Sequence, residues 1–210
     1  MKNLPKMEEI LLNLKHLTTY VGSDGKLIEG YQTVFGALKS QANFRDGANF
    51  ILSYMRVHGQ EFINAFAFEF KYADEIARRA DVMVLGEDGV SLIKYEFKSW
   101  TPGEQKWNGF FRGTDLKSWG QIEDYLLKSN KLTEIVYVFN EKKIVTNPDM
   151  LKQAFRELFR LKANEIFKLE VEGGAFTFER LESLFGTRYK DVFLQNIENL
   201  DSDIYSFIKF

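Results

Sequence analysis

The chain has 210 residues, of which 45% are hydrophobic and 28% are charged, and its formal net charge is −2. The absence of cysteine excludes disulfides, thiol catalysis and thiolate zinc sites, and two isolated histidines, His16 and His58, argue against a histidine-dependent nuclease or a Ser-His-Asp hydrolase. No segment approaches the roughly 20 apolar residues of a membrane span. The first nine residues have acids and a proline where a signal peptide would need an apolar stretch, so we expect a soluble, cytoplasmic chain without a membrane partner.

Hydrophobic periodicity predicts the order of the elements along the chain. Helices are expected over 5–20, 30–41 and 46–58, followed by strands over 63–72, 77–86 and 90–99. A loop at 101–113 then leads to a helix over 115–129 and a strand over 133–140. The tail from Pro148 is expected to be helical, with further helices near 178–186 and 189–199. The sequence therefore predicts an α/β protein with helical segments added at both ends.

The second and third strands flank an Asp-Gly pair, Asp88 and Gly89, which favours a hairpin with a two-residue type I′ turn. A turn centred there pairs residues whose numbers add to 177, so Asp81 lies opposite Glu96. Cross-strand Cβ atoms are about 5 Å apart, close enough for two carboxylates to bind one cation. Lys98 lies on the same strand face as Glu96. An acid opposite an acid-x-Lys segment is typical of a metal-assisted phosphodiesterase site.

The acid-x-Lys tripeptide alone is weak evidence, because it also begins at Asp24, Glu69, Glu104, Asp115 and Glu141. Glu69 is the strongest competitor, since it lies in an alternating strand-like run. Its nearest upstream partner, Asp46, lies beyond a predicted helix, and no tight turn brings the two together. Glu96 alone is predicted to face an acid across a hairpin.

A second candidate pair lies on the helix after this hairpin. Residues i and i+4 share one face of a helix, so Gln121 and Tyr125 project together. Any helix can carry such a pair, and its significance comes from its position between the strand of Lys98 and the apolar run 135–139.

These motifs resemble the PD-(D/E)xK nuclease superfamily, with Ala80 where the family usually has a proline. The Gln-x-x-x-Tyr pattern is similar to its RecB-like branch. The resemblance implies a restriction-endonuclease-like α/β core of a helix, three strands, a helix and a strand, with a mixed central sheet flanked by helices. We expect this core over 46–145, an N-terminal helical segment over 1–45 and a C-terminal helical extension packed on the core over 146–210.

The resemblance also implies roles for the candidate residues. Asp81, Glu96 and the carbonyl of Phe97 would bind Mg²⁺ or Mn²⁺, and Lys98 would orient the attacking water or neutralise charge on the phosphate. Gln121 and Tyr125 would help to hold the metal ligands or the nucleic acid. The family often adds one more glutamate as a metal ligand, and Glu61 and Glu69 both remain open for this role.

The expected function is that of a metal-dependent nuclease acting on DNA or RNA, and the sequence does not choose between the two. A small nuclease with added helices is similar to the toxin domains of bacterial competition systems. Such a domain would act in the cytoplasm after delivery within a larger secreted protein, and a protein inhibitor or immunity partner would oppose it. Two alternatives stay open: a restriction, repair or mobile-element endonuclease, and an inactive nuclease-fold module that binds nucleic acid or protein.

The loop at 101–113 is a candidate substrate clamp. Net negative charge argues against nucleic-acid binding through a global field, so local cations such as Lys106 and Arg112 would have to supply it. The interleaved aromatic residues have two interpretations, since Trp107, Phe110 and Phe111 would either stack on bases or pack into the core.

Overall fold

The computed structural model describes residues 4–22, 24–40, 42–70, 79–144, 148–168 and 176–210. The chain divides into two compact units, Met1–Ser99 and Trp100–Phe210. Each unit contains both helices and strands, so the predicted α/β class is confirmed. The predicted domain boundaries near residues 45 and 145 remain a prediction.

The first unit begins with helices α1 (Leu4–Leu17), α2 (Tyr31–Leu38) and α3 (Ala42–Val57). A 3₁₀ turn at Gly59–Phe62 leads to strands β1 (Ala65–Phe70), β2 (Ala80–Leu85) and β3 (Leu92–Lys98). All six elements follow the predicted order. The predicted strand positions 71–72 and 77–78 lie outside the described residues.

The second unit contains α4 (Gln105–Phe111), α5 (Leu116–Leu127), β4 (Ile135–Phe139), α6 (Pro148–Ile166), α7 (Phe178–Phe185), α8 (Lys190–Asn196) and β5 (Ile208–Lys209). The prediction of a loop throughout 101–113 is wrong, because α4 occupies seven of these residues. The segment contains Asn108 and Gly109, which have low helix propensity, and it follows Pro102 and Gly103, so the local sequence favours a loop. Within the described residues, no helix combines the length and the apolar character needed to cross a membrane.

The strands of the first unit form two antiparallel ladders with β2 in the centre. Between β1 and β2, Phe68 pairs with Val82 and Phe70 pairs with Ala80. Between β2 and β3, Val82 pairs with Tyr95, and each further pair keeps the predicted sum of 177. The hairpin register inferred from the Asp-Gly pair is therefore confirmed.

The turn of this hairpin differs from the predicted type. The N–H of Gly86 donates to the carbonyl of Ser91 at 2.8 Å, which closes a four-residue loop rather than a two-residue one. Gly89 has a φ of 67°, whereas the φ of Asp88 is not positive. A type I′ turn needs a positive φ at both of its central residues. The Asp88 carboxylate instead accepts the backbone N–H groups of Val90 and Ser91 at 3.0 and 2.8 Å. Both loops have the same centre, so the register does not change.

The two faces of β3 have different surroundings. Phe97 packs against Phe50 and Tyr54 of α3, with ring centroids 5.6 and 5.5 Å apart. Tyr95 packs on Phe62 at 4.6 Å. Because successive side chains of a strand point to opposite faces, Glu96 lies on the face away from these rings.

The second unit has its own aromatic core around Phe155, which has no exposed surface and packs on Phe207 with centroids 5.0 Å apart. Strand β4 is buried along its whole length and pairs in parallel with β5. The Tyr137 N–H donates to the carbonyl of Phe207 at 2.8 Å, which ties the end of the chain to β4.

Candidate functional site

Three acidic residues lie in a row across the three strands of the first unit. The pairs Phe68↔Val82 and Phe70↔Ala80 place Glu69 opposite Asp81. The pair Val82↔Tyr95, continued by one residue, places Asp81 opposite Glu96. Cross-strand neighbours share one face of a sheet with Cβ atoms about 5 Å apart. The row formed by Glu69, Asp81 and Glu96 thus brings three carboxyl groups together.

Hydrogen bonds from the protein hold two of these carboxylates. The Lys98 Nζ donates to Glu96 Oε2 at 2.8 Å, and both side chains are buried, with exposed fractions of 12% and 2%. The backbone N–H of Phe97 donates to Asp81 Oδ2 at 2.7 Å. The candidate catalytic lysine therefore lies on the acidic row, where the sequence predicted it.

Burial and like charge both act on Asp81. Desolvation raises the pKa of the Asp81 carboxyl well above its usual range, and the carboxylates of Glu96 and Glu69 raise it further. Lys98 and the hydrogen bond from Phe97 oppose this shift without cancelling it. Burial and like charge thus outweigh the groups that favour the ionised form of Asp81.

Glu69 is the acid that sequence reasoning left undecided. Its pKa is also raised, mainly by burial and then by Glu96, while Arg79 and Lys98 act in the opposite direction. Its φ of 49° is the sole positive φ of a non-glycine residue in the described part of the chain. This left-handed conformation costs a β-strand glutamate about 1 kcal/mol or more. Such strain is typical of residues held in place for a function rather than for stability.

Lys98 stays protonated in this setting. Burial alone lowers the pKa of the Lys98 amine, but Glu96, Asp81 and Glu69 raise it more, and the net shift is upward. The amine is therefore a fixed positive charge near neutral pH rather than a proton acceptor.

The oxygen donors of the row suit a hard divalent cation, because Mg²⁺ and Mn²⁺ take carboxylate ligands. A cation would also offset the repulsion that raises the pKa of Asp81 and Glu69. Across the residues that the structure describes, no three Asp, Glu, His or Cys side chains already stand in coordinating positions. Phe97 and Lys98 bond to one oxygen of Asp81 and of Glu96, and each carboxylate has further lone pairs. Coordination therefore requires the side chains to shift into coordinating positions, but not to give up these hydrogen bonds.

Glu61, the other acid left open, lies elsewhere. Its carboxylate accepts the Tyr95 hydroxyl at 3.1 Å and lies 3.5 Å from His58 Nδ1. Tyr95 points to the face of β3 opposite that of Glu96. Burial and the nearby Glu61 raise the pKa of the Tyr95 hydroxyl. Glu61 therefore belongs to a Tyr-His cluster beside α3 rather than to the row.

Gln121 and Tyr125 project together from α5, as their spacing predicts. The Gln121 Nε2 donates to the Tyr125 hydroxyl at 3.1 Å. Tyr125 has no exposed surface and packs near Tyr137, with ring centroids 6.4 Å apart. Both residues belong to the second unit, and their participation in the site remains a prediction.

The aromatic residues of the predicted clamp are buried. Trp107, Phe110 and Phe111 have exposed fractions of 8%, 0% and 8%, and Phe111 packs on Phe155 at 5.1 Å. Their interpretation as core residues is therefore confirmed. The cations of the same segment, Lys106 and Arg112, are exposed.

Comparisons of the chain with protein-family models, with curated proteins and with solved structures found no match. Inference about its function therefore depends on the residues of the site.

Proposed function

We propose that this chain is a metal-dependent nuclease that hydrolyses phosphodiester bonds of DNA or RNA. The observation that carries the proposal is the row of Glu69, Asp81 and Glu96 on three adjacent strands, with Lys98 hydrogen bonded to it. Its resemblance to the PD-(D/E)xK arrangement supports the same assignment. Neither observation distinguishes DNA from RNA, because the attacked phosphodiester is common to both.

In this proposal Asp81, Glu96 and Glu69 hold Mg²⁺ or Mn²⁺, with the Phe97 carbonyl as a further ligand by resemblance. The bound ion would polarise the scissile phosphate and lower the pKa of the attacking water. The Lys98 amine contributes a permanent positive charge to the phosphate oxygens, which gain negative charge as the water attacks. Orienting the attacking water is the other role that the resemblance implies for this amine.

The first test is cleavage by the purified chain. We expect plasmid DNA, single-stranded DNA or total RNA to be cut with Mg²⁺ or Mn²⁺, and a chelator to stop the reaction. Asp81→Asn and Lys98→Ala should each lower the rate by about 100-fold or more, because each removes charge that acts on the transition state. Circular dichroism of both variants would establish that they remain folded.

The double variant Asp24→Asn/Lys26→Ala is a matched control. It removes an acid-x-Lys ion pair on the surface, in which the Asp24 side chain is 58% exposed and the Lys26 side chain is 83% exposed. Its cleavage rate should equal that of the wild type. An inert wild-type chain with every substrate and metal, or full activity in folded Lys98→Ala, would refute the proposal.

The setting we propose is that of a toxin domain in bacterial competition, carried into the target cytoplasm within a larger protein and restrained by an inhibitor in the producing cell. Restriction, repair and mobile-element settings use the same chemistry. Expression in a bacterial host separates them, since a toxin arrests growth and Lys98→Ala relieves the arrest. Normal growth of cells that express active wild-type chain would exclude the toxin setting.

A further inference from the structure

A second polar site lies on the surface around α4. It is an open groove of about 850 Å³ formed within residues 103–115. Apart from two glycines, the residues that line it carry polar or charged side chains: Gln105, Lys106, Asn108, Arg112, Thr114 and Asp115. Hydrogen-bond donors and cations thus outnumber the single carboxylate among the lining groups.

The two cations of the groove are available to a ligand. Lys106 and Arg112 are exposed, and neither side chain forms a hydrogen bond or an ion pair with any part of the chain that the structure describes. The nearby Glu104 carboxylate accepts the Thr101 N–H at 3.2 Å, and this bond, with help from Lys143 and Lys106, lowers the pKa of Glu104. Glu104 is thus satisfied locally.

The groove has no stacking surface for bases. The rings of Trp107, Phe110 and Phe111 turn inward and are at least nine-tenths buried. The Asn108 amide already donates to the Gly103 carbonyl at 2.9 Å. The Gln105 amide, the Thr114 hydroxyl and the two cations remain to meet a ligand, and such groups contact phosphate oxygens. A nucleic acid in this groove would be held by its backbone.

We propose that this groove binds the phosphate backbone of nucleic acid without reading its bases. The inference rests on the proposed function, which supplies the polyanionic substrate. Lys106 and Arg112 line the same groove, so one nucleic-acid backbone that enters it can meet both cations.

The test is binding, measured by fluorescence anisotropy with a chelator present so that nothing is cut. The charged probes are a labelled duplex DNA of about 20 base pairs, a single-stranded DNA and an RNA, all of the same sequence. A peptide nucleic acid of that sequence is the probe with a neutral backbone. For duplex DNA, Lys106→Ala/Arg112→Ala should reduce the log-log salt slope by about 1.8, which corresponds to about 0.9 for each phosphate contact. The ratio of the wild-type affinity to that of the double variant should therefore fall about tenfold as salt rises from about 50 to about 200 mM.

Lys131→Ala/Lys168→Ala is the matched control, because it removes two exposed cations of the same unit that do not line the groove. It should keep the wild-type slope, and the peptide nucleic acid should not bind. The inference is overturned if wild-type chain binds none of the charged probes, if the control pair lowers the slope equally, or if the groove variant binds as wild type does.

The outcomes also separate this inference from the nuclease proposal. Loss of binding in the groove variant of a chain that never cleaves supports the groove and refutes the nuclease. A wild-type chain that cleaves, with a groove variant that binds and cleaves equally well, supports the nuclease and refutes the groove.

Discussion

Two segments of the first unit have the same acid-x-Lys pattern and very different surroundings. In Glu96-Phe97-Lys98 the ion pair spans 2.8 Å, and its side chains are 2% and 12% exposed. In Asp24-Gly25-Lys26 the pair spans 3.3 Å, and its side chains are 58% and 83% exposed. Both segments pair their own charges, so neither the tripeptide nor the ion pair identifies a site.

The neighbouring strands make the difference. Asp24 has a local role, since its carboxylate also accepts the backbone N–H of Lys26 at 3.0 Å, and solvent screens the pair. Glu96 instead has Asp81 opposite it, and Asp81 has Glu69 on its other side. The lysine of the buried segment thus interacts with three carboxyl groups, and a metal ion would offset the repulsion between them.

Replacing Glu69 tests whether the three carboxyl groups of the row act together in cleavage. If the row acts as one unit, Glu69→Gln should lower the cleavage rate by about 10- to 100-fold, the usual cost of losing one group that supports a metal site. Higher Mn²⁺ concentration should recover part of the loss, because the defect lies in metal binding. Cleavage rates across a metal titration measure both effects.

Glu61→Gln is the control for this experiment. It also alters a half-buried glutamate, but Glu61 bonds to Tyr95 on the other face of β3. Its metal dependence should match that of the wild type. Equal losses in both variants would indicate a general effect on the first unit and would remove Glu69 from the site.

The buried and the exposed ion pair should also differ in how much they contribute to stability. A double-mutant cycle on Glu96 and Lys98 should give a coupling energy of about 2 kcal/mol, as for a buried charge-assisted hydrogen bond. The same cycle on Asp24 and Lys26 should give about 0.3 kcal/mol, as for an exposed pair. Urea unfolding with a chelator present measures both.

The single variants of this cycle provide a further check. Lys98→Ala should destabilise more than Glu96→Ala, because it takes a cation away from a row of acids, whereas Glu96→Ala takes away one of the repelling charges. The reverse order would mean that the packing of Glu96, rather than the charge of the row, dominates.

The hairpin and its site residues could be predicted because the Asp-Gly pair fixes the centre of the loop. The turn type could not, since a two-residue loop and a four-residue loop around Asp88 and Gly89 give the same pairing. The position of Glu69 opposite Asp81 could not be predicted either, because it depends on the register between β1 and β2. The connection over 71–79 offers no comparable turn signal.

Short elements escaped prediction for a different reason. Strand β5 has two residues, too few to show the alternation of a strand. Helix α4 contains Asn108 and Gly109, whose helix propensity is low. Tertiary packing stabilises them instead: Phe110 of α4 is fully buried, and β5 pairs with β4. Such packing is not visible in a local sequence window.

The smallest expected effect is the pH dependence of stability. The pKa of Asp81 is raised in the folded chain, so above the ordinary carboxyl pKa of about 4 the folded state binds more protons than the unfolded state. The free energy of unfolding therefore falls as pH rises toward the folded pKa, and the raised pKa of Glu69 adds a change of the same sign. Asp81→Asn removes the charge and keeps an oxygen for the Phe97 N–H.

The free energy of unfolding of Asp81→Asn should accordingly fall less than that of wild type between about pH 4 and about pH 8. At the upper end it should be higher than the wild-type value by about 1 kcal/mol, within the range gained by relieving a strained site. Urea unfolding across this range, with a chelator present, measures the difference, and Asp24→Asn should follow the wild-type curve. Added Mg²⁺ should raise wild-type stability at high pH more than that of Asp81→Asn, because binding to the folded state stabilises it. Parallel curves for wild type and Asp81→Asn would mean that solvent or side-chain rearrangement already relieves the repulsion in the row, which would leave a cation little to offset.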